Sequence, residues 1–302
     1  MDLLAALRVF TRVIELGSFS GVARELEMPQ SAVSRQISAL EEHFGVRLLH
    51  RTTRRVSATE DGRDLLAHAH HVLDMVETAE TMVGRRRSMP SGTVHVGATT
   101  AFGLFIAPRL ALLFERYPEL VVDLTVRDTP FDLVEEGLDL VIRPAGTADS
   151  SLVARRIGAT ERLVVASPAY LNRRGEPIHP HELSTHECII QTQGPQIHEW
   201  SFDVPEGPLV VPVAGPLRST SSAVINRAAR GGVGIALLPK GMVHDDIVSG
   251  QLRAILRDYP PQKWPTEIVY PSRRLLPPRT RAVMDFLADQ FHASLIARRA
   301  NM

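Results

Sequence analysis

Between Thr59 and Met89 the chain contains no proline, and its apolar residues Leu65, Ala69, Val72, Val76, Ala79 and Val83 step by 4, 3, 4, 3 and 4. That is a heptad stripe on one continuous helix. At 1.5 Å per residue such a helix extends about 45 Å, too far to lie inside one small core. A chain of 302 residues built around it divides into a part before the helix and a part after it. The stripe has two uses: it can pack on the chain's own first domain, or it can pair with a second copy. Its strict alternation and its position between domains favour pairing, and Ala69 and Ala79 are small enough for close approach. His68, His70 and His71 share this helix, but spacings of one, two and three do not gather ligands on one face. They read as solvated or packing histidines, and no metal site is expected. Arg85 to Gly92 closes the helix as a polar hinge.

Before the helix, residues 1–58 read as three short helices. Leu3, Leu7, Phe10, Val13 and Ile14 mark one apolar face, Gly17 supplies a stop and Ser18 a new cap. A second helix runs from Phe19 to Leu26, Pro29 breaks the chain, and a third spans Gln30 to Phe44. Spacing alone allows a helix-turn-helix or any small three-helix bundle. Two features favour the former. The outward face of the third helix carries Gln30, Ser31, Ser34, Arg35 and Ser38. Arg forks onto guanine, Gln onto adenine, and Ser suits phosphate oxygens. From His43 to Thr59 there are also four arginines and no acid, a local charge of +4, in a Thr- and Val-containing stretch that reads as a small β-wing. Beside such a helix pair, Arg51, Arg54 and Arg55 would grip the phosphate backbone. The whole-chain balance of 34 basic and 34 acidic residues decides nothing, because a local basic face can hide inside it.

After Gly92 the pattern becomes alternating strand and helix: strand Thr93–Ala98, helix Phe102–Arg116 interrupted by Pro108, strand Val121–Arg127, short helix Phe131–Glu136, strand Leu138–Ile142. That order predicts a parallel sheet with crossover helices. Further strands follow at Leu163–Ala166, Cys188–Ile190, Val210–Val211 and Gly234–Leu238, then a helix from Arg279 to Arg298. An apolar content of 44% supplies the cores. One cysteine, Cys188, excludes an intrachain disulfide and a cysteine-held metal cluster, and it reads as a buried, inert thiol. No apolar run approaches the ~18 residues of a membrane span. The N-terminus does not read as a secretory signal, so a reduced, cytoplasmic protein without membrane contact is expected.

Enzyme signatures fail. No phosphate-binding loop occurs, Gly231-Gly232-Val233-Gly234 lacks dinucleotide spacing, and Gly17-Ser18-Phe19-Ser20-Gly21 centres on Phe. In His181-Glu182-Leu183-Ser184-Thr185-His186 the second histidine falls at i+5, off the face a zinc site needs. No catalytic residue and no cofactor is expected.

Ala23-Arg24-Glu25-Leu26, Gln30 to Ile37, Leu40-Glu41, Gly45 to Leu49, Arg51 and Thr59-Glu60-Asp61-Gly62 together resemble the winged helix-turn-helix of LysR-type transcriptional regulators. Pro29 departs from the family's usual capping Ser or Thr, a loss of about 0.5–2 kcal/mol unless compensated. Tyr117 to Leu120, Gly137 to Arg143 and Gly231 to Pro239 resemble the LysR-type effector domain, which is similar to periplasmic solute-binding proteins. The resemblance implies a winged helix-turn-helix over 1–58, a linker helix and hinge over 59–90, and a two-lobed α/β effector domain over 91–302. Its lobes would be 91–165 with 266–302, and 166–265. It implies binding to a near-palindromic duplex operator, a homodimer through the linker helix, a tetramer beyond that, and RNA polymerase as a further partner. The competing class is a solute-binding or transferase-like α/β protein whose helical N-terminus is incidental.

Ligands of open α/β sheets lie beyond the strands' carboxyl ends. Thr99 and Thr100 stand there before one helix, and Ser219 and Thr220 before another. Their hydroxyls and the free helical N–H groups suit an organic anion, and they equally suit plain capping. Arg143 could pair with a ligand carboxylate or with the protein's own, and Phe102 could meet an apolar ligand body.

Overall fold

The computed structural model describes residues 1–51, 56–83, 89–146, 152–192, 198–205, 207–271 and 276–300; side chains at 51, 67, 71, 74, 77–83 and 295–300 lie outside that description. The headpiece packs α1 (Leu3–Leu16), α2 (Phe19–Glu25) and α3 (Gln30–Phe44) around Phe10, Val13, Val22, Val33, Ile37 and Leu40, each fully buried. Each such side chain contributes roughly 1.5–3 kcal/mol of burial. Asp2 and Ser18 cap the first two helices through their side chains, whereas Pro29 caps α3 with none, as the sequence requires. Arg12 grips Glu25 with two parallel hydrogen bonds of 2.7 and 2.6 Å, joining α1 to α2. Glu41 of α3 accepts from the amides of Leu48 and Leu49 and so fixes the start of β1 (Leu49–Arg51), which pairs antiparallel with β2 (Val56–Ala58).

The linker helix α4 (Glu60–Val83) starts from Thr59, whose hydroxyl accepts from the Gly62 amide. A Cβ at Gly62 would stand 2.0 Å from the Leu48 carbonyl oxygen, so only glycine lets α4 seat against the wing. The heptad stripe is divided in use. Ala69 is buried in the headpiece core, with Leu65 and Leu73 packed beside it, while Val72 and Met75 face outward. Part of the stripe therefore serves the chain's own first domain, and the side chains of Ala79 and Val83 lie outside the described residues.

The effector region contains two five-stranded sheets. The first is built from β3 (Gly92–Ala98), α5 (Thr100–Ile106), α6 (Leu110–Arg116), β4 (Leu120–Val126), β5 (Leu140–Pro144) and β6 (Val153–Thr160). The second takes β7 (Arg162–Ala166), α7 (Pro168–Arg174), β8 (Cys188–Gln191), β9 (Glu199–Val204), β10 (Gly207–Pro212), β11 (Arg218–Ser219), α8 (Ser222–Arg230), β12 (Ile235–Pro239), α9 (Lys240–Val248) and β13 (Arg253–Ile255). The chain then returns to the first lobe with β14 (Trp264–Tyr270) and α10 (Pro278–Ala300). Strand order is β4-β3-β5-β14-β6 in one sheet and β11-β8-β12-β7-β13 in the other, with β9 and β10 as a separate hairpin.

Three expectations are corrected. The first sheet is mixed rather than parallel, because β14 re-enters from the other lobe and runs antiparallel to β5 and β6. The lobe change falls at Glu161, not after Val165, since all of β7 pairs with β12 and β13; the return begins at Trp264, not Thr266. Phe131–Glu136 forms no helix: Asp132 Oδ1 accepts from the amides of Val134 and Glu135 and holds a turn. The expected interruption of the Phe102–Arg116 helix at Pro108 is present, as a 3-10 turn between α5 and α6. Cys188 is fully buried, and burial pushes its thiol up to about 12, in keeping with an inert residue.

Candidate nucleic-acid interface and effector cleft

On α3 the positions 30, 31, 34, 35 and 38 lie on one face, opposite buried Val33, Ile37 and Leu40. Gln30, Ser31, Arg35 and Ser38 are exposed and Ser34 is half-buried. The long polar side chains at the helix start are thus free to enter a major groove, while the apolar side is committed to the headpiece core. The backbone of Arg51 lies in β1; its side chain, and the whole of Arg54 and Arg55, lie outside the described residues.

The two lobes enclose a cavity of about 470 Å³. Its polar wall comes from strand ends: Thr99 follows β3, Arg143 and Pro144 close β5, Gln191 closes β8 and Pro239 closes β12. Phe102, Phe131 and Trp264 give it apolar surface. Of the six residues expected there, Thr99, Phe102 and Arg143 line the cavity; Thr100, Ser219 and Thr220 do not. Ser219 accepts from the Ser221 amide instead, and Ser221 caps α8. Three residues further into the same run, Ser222 reaches the cavity.

Asp128 spans this cleft. Its Oδ1 accepts from the Thr100 amide at 2.8 Å at the start of α5, and its Oδ2 accepts from the Ser222 amide at 2.6 Å and hydroxyl at 2.7 Å at the start of α8. One carboxylate thereby caps a helix in each lobe, with the charge-assisted bonds and helix-terminus attraction such a seat provides. The seat that sequence reasoning reserved for a ligand anion is occupied by the protein's own. Arg143 is likewise engaged, its Nε 3.2 Å from Glu267. Trp264 stacks under the Arg162 guanidinium at 4.2 Å, and its indole N–H is buried with no acceptor among the described residues. Arg162 is 4% exposed and donates to the Gln262 carbonyl at 2.8 Å; burial lowers its pKa to about 10. Nothing in the local sequence singles out Asp128 or Trp264, because their partners stand up to a hundred residues away. At the crossover, Glu161 pairs with Lys240 at 3.1 Å and Lys263 at 3.3 Å.

A family model described as "LysR substrate binding domain" matches residues 87–292, and one described as "Bacterial regulatory helix-turn-helix protein, lysR family" matches residues 4–63. The chain belongs to the LysR family of transcriptional regulators. It is 33% identical to an HTH-type transcriptional regulator of Xanthomonas campestris, the match covering 97% of this chain and 90% of that one. It is 34% identical to the HTH-type transcriptional regulator DmlR of Escherichia coli, over 96% of this chain and 95% of the other. Among solved structures, CrgA, a LysR-type regulator from Neisseria meningitidis, superposes with a TM-score of 0.60 at 32% identity, covering 95% of this chain and 98% of CrgA. This LysR-type chain is a DNA-binding transcriptional regulator with an effector-binding domain, not an enzyme. No helix among the described residues is long and apolar enough to cross a membrane.

Proposed function

We propose that the regulator reads a near-palindromic operator as a homodimer joined along α4, with Gln30, Ser31, Ser34, Arg35 and Ser38 in the major groove and Arg51, Arg54 and Arg55 on phosphates. Pairing of dimers into a tetramer would set the spacing between operator sites, and an activating role would add RNA polymerase as a partner. A cytoplasmic location follows from that work on DNA. The effector enters the cleft between the lobes, touching Thr99, Phe102 and Arg143, with the Thr100 amide as a donor; Ser219 and Thr220 shape the α8 start from outside the cavity.

The observation that carries the effector reading is the seat of Asp128. Three donors from two lobes already converge on one carboxylate, and the adjoining walls are apolar and aromatic. A small aromatic or short-chain carboxylate fits this site by taking the place of Asp128, with an acceptor for the buried Trp264 N–H. Ligand and Asp128 then compete, and binding resets the contact between lobes. Calorimetric titration of a panel beginning with benzoate and succinate tests the competition. Asp128→Ala is expected to bind the best carboxylate at least tenfold more tightly than the wild type. Weaker binding by Asp128→Ala, in a protein of unchanged fold, contradicts it.

A further inference from the structure

We propose that Glu15, His70 and His95 form a binding site for a divalent transition metal of the zinc type, distinct from the effector cleft. The three residues come from the first helix of the headpiece, the linker helix and the first strand of the effector domain. Their ligand atoms all lie within 4.8 Å of one another. Glu15 Oε1 is 3.9 Å from His70 Nε2, and the His70 and His95 rings stand 5.1 Å apart, inclined at 58°.

The chemistry of the set is specific. Two imidazoles and a carboxylate suit zinc and its borderline neighbours better than calcium or magnesium, which prefer oxygen alone. Around tetrahedral zinc, ligand atoms lie roughly 3.3 Å apart, so rotation of the side chains by an ångström or so closes the group. The supporting contacts point the same way. Arg12 binds Oε2 of Glu15, leaving Oε1 toward the histidines. Asp123 Oδ2 lies 3.4 Å from His95 Nδ1, a carboxylate placed to fix the ring and its tautomer or to join the metal as a fourth ligand. The His95 amide donates to Asp139 at 2.7 Å, holding the strand in place.

The group borders a pocket of about 360 Å³ that shares no residue with the effector cleft. Arg8, Arg12 and Arg279 also border this pocket. Arg12 is paired with Glu25, and Arg279 directs its Nε at the Thr93 carbonyl. Glu15, Asp123 and Asp139 place three carboxylates beside the histidines. A metal here would fasten the DNA-binding headpiece to the effector lobe of its own chain, so metal supply would control how freely the headpiece turns. The sequence hides the site because Glu15 and His95 lie 55 residues before His70 and 25 after it.

The test uses the full-length chain, stripped by chelator and titrated with zinc chloride in a calorimeter. One zinc per chain, at micromolar or tighter affinity, is expected. His70→Gln and His95→Gln should each weaken binding at least tenfold, and Glu15→Gln, an exposed position, should do so with an unchanged melting curve. His68→Gln, exposed on the same helix, should leave zinc binding as it was. Zinc should also slow amide exchange in α1 and β3 together. No stoichiometric uptake, or uptake unchanged in both His70→Gln and Glu15→Gln, overturns the site. None of these readouts involves the effector or the operator.

Discussion

Arg35 stands exposed on the recognition face, one helical turn from Ser31 and Ser38 and on the side opposite Ile37. A bidentate contact from such a residue to guanine discriminates by about 1–3 kcal/mol. Arg35→Ala should therefore lose roughly that much affinity for its operator while keeping its affinity for random duplex, as read by fluorescence anisotropy on both. Equal losses on the two would remove Arg35 from base reading. This face was legible from sequence because helical spacing alone sorts Gln30, Ser31, Arg35 and Ser38 from Val33, Ile37 and Leu40. The cleft was legible only in outline. Thr99, Phe102 and Arg143 follow from the rule that ligands gather at strand ends. Asp128 does not, because its role depends on bringing Ser222 of the other lobe to within 2.7 Å. Local sequence offers hydroxyls as the anion's partners; the fold supplies an anion of its own.

The linker helix shows where periodicity stops being informative. A 4-3 stripe identifies a buried face but not what buries it. Ala69 and Leu65 turn to the chain's own headpiece, and Gly62 allows that approach. Val72, 40% exposed, and Met75, 54% exposed, remain uncovered at the helix surface, next to half-buried Val76. Exposed apolar positions at this spacing on a helix are what a partner helix would cover. Val76→Asp places like charges opposite each other in that seam and should convert dimer to monomer at micromolar concentration, measured by sedimentation. An unchanged mass would assign dimerisation to another surface. The same limit explains the misplaced short helix. Phe131 to Glu136 contains good helix formers, yet the Asp132 side chain takes up the local amides and closes a turn.

For the whole molecule, the order of elements was readable because each has its own period. The pairing of strands was not. β14 completes the first sheet after a hundred residues spent in the second lobe, and no local pattern records that return. The result is two crossings between the lobes, joined by the Glu161–Lys263 pair, a carboxylate latch across the cleft and a headpiece on a long arm. The central claim is that this assembly recognises duplex sequence through paired headpieces. The most direct test is footprinting of the full-length protein on the genomic fragments it retains at about 150 mM salt, where unspecific phosphate contacts are weakened. The account predicts protection of two similar half-sites related by a two-fold axis, their centres separated by about one or more turns of 10–10.5 base pairs. Uniform protection of every fragment, or protection of a single asymmetric site, would contradict it.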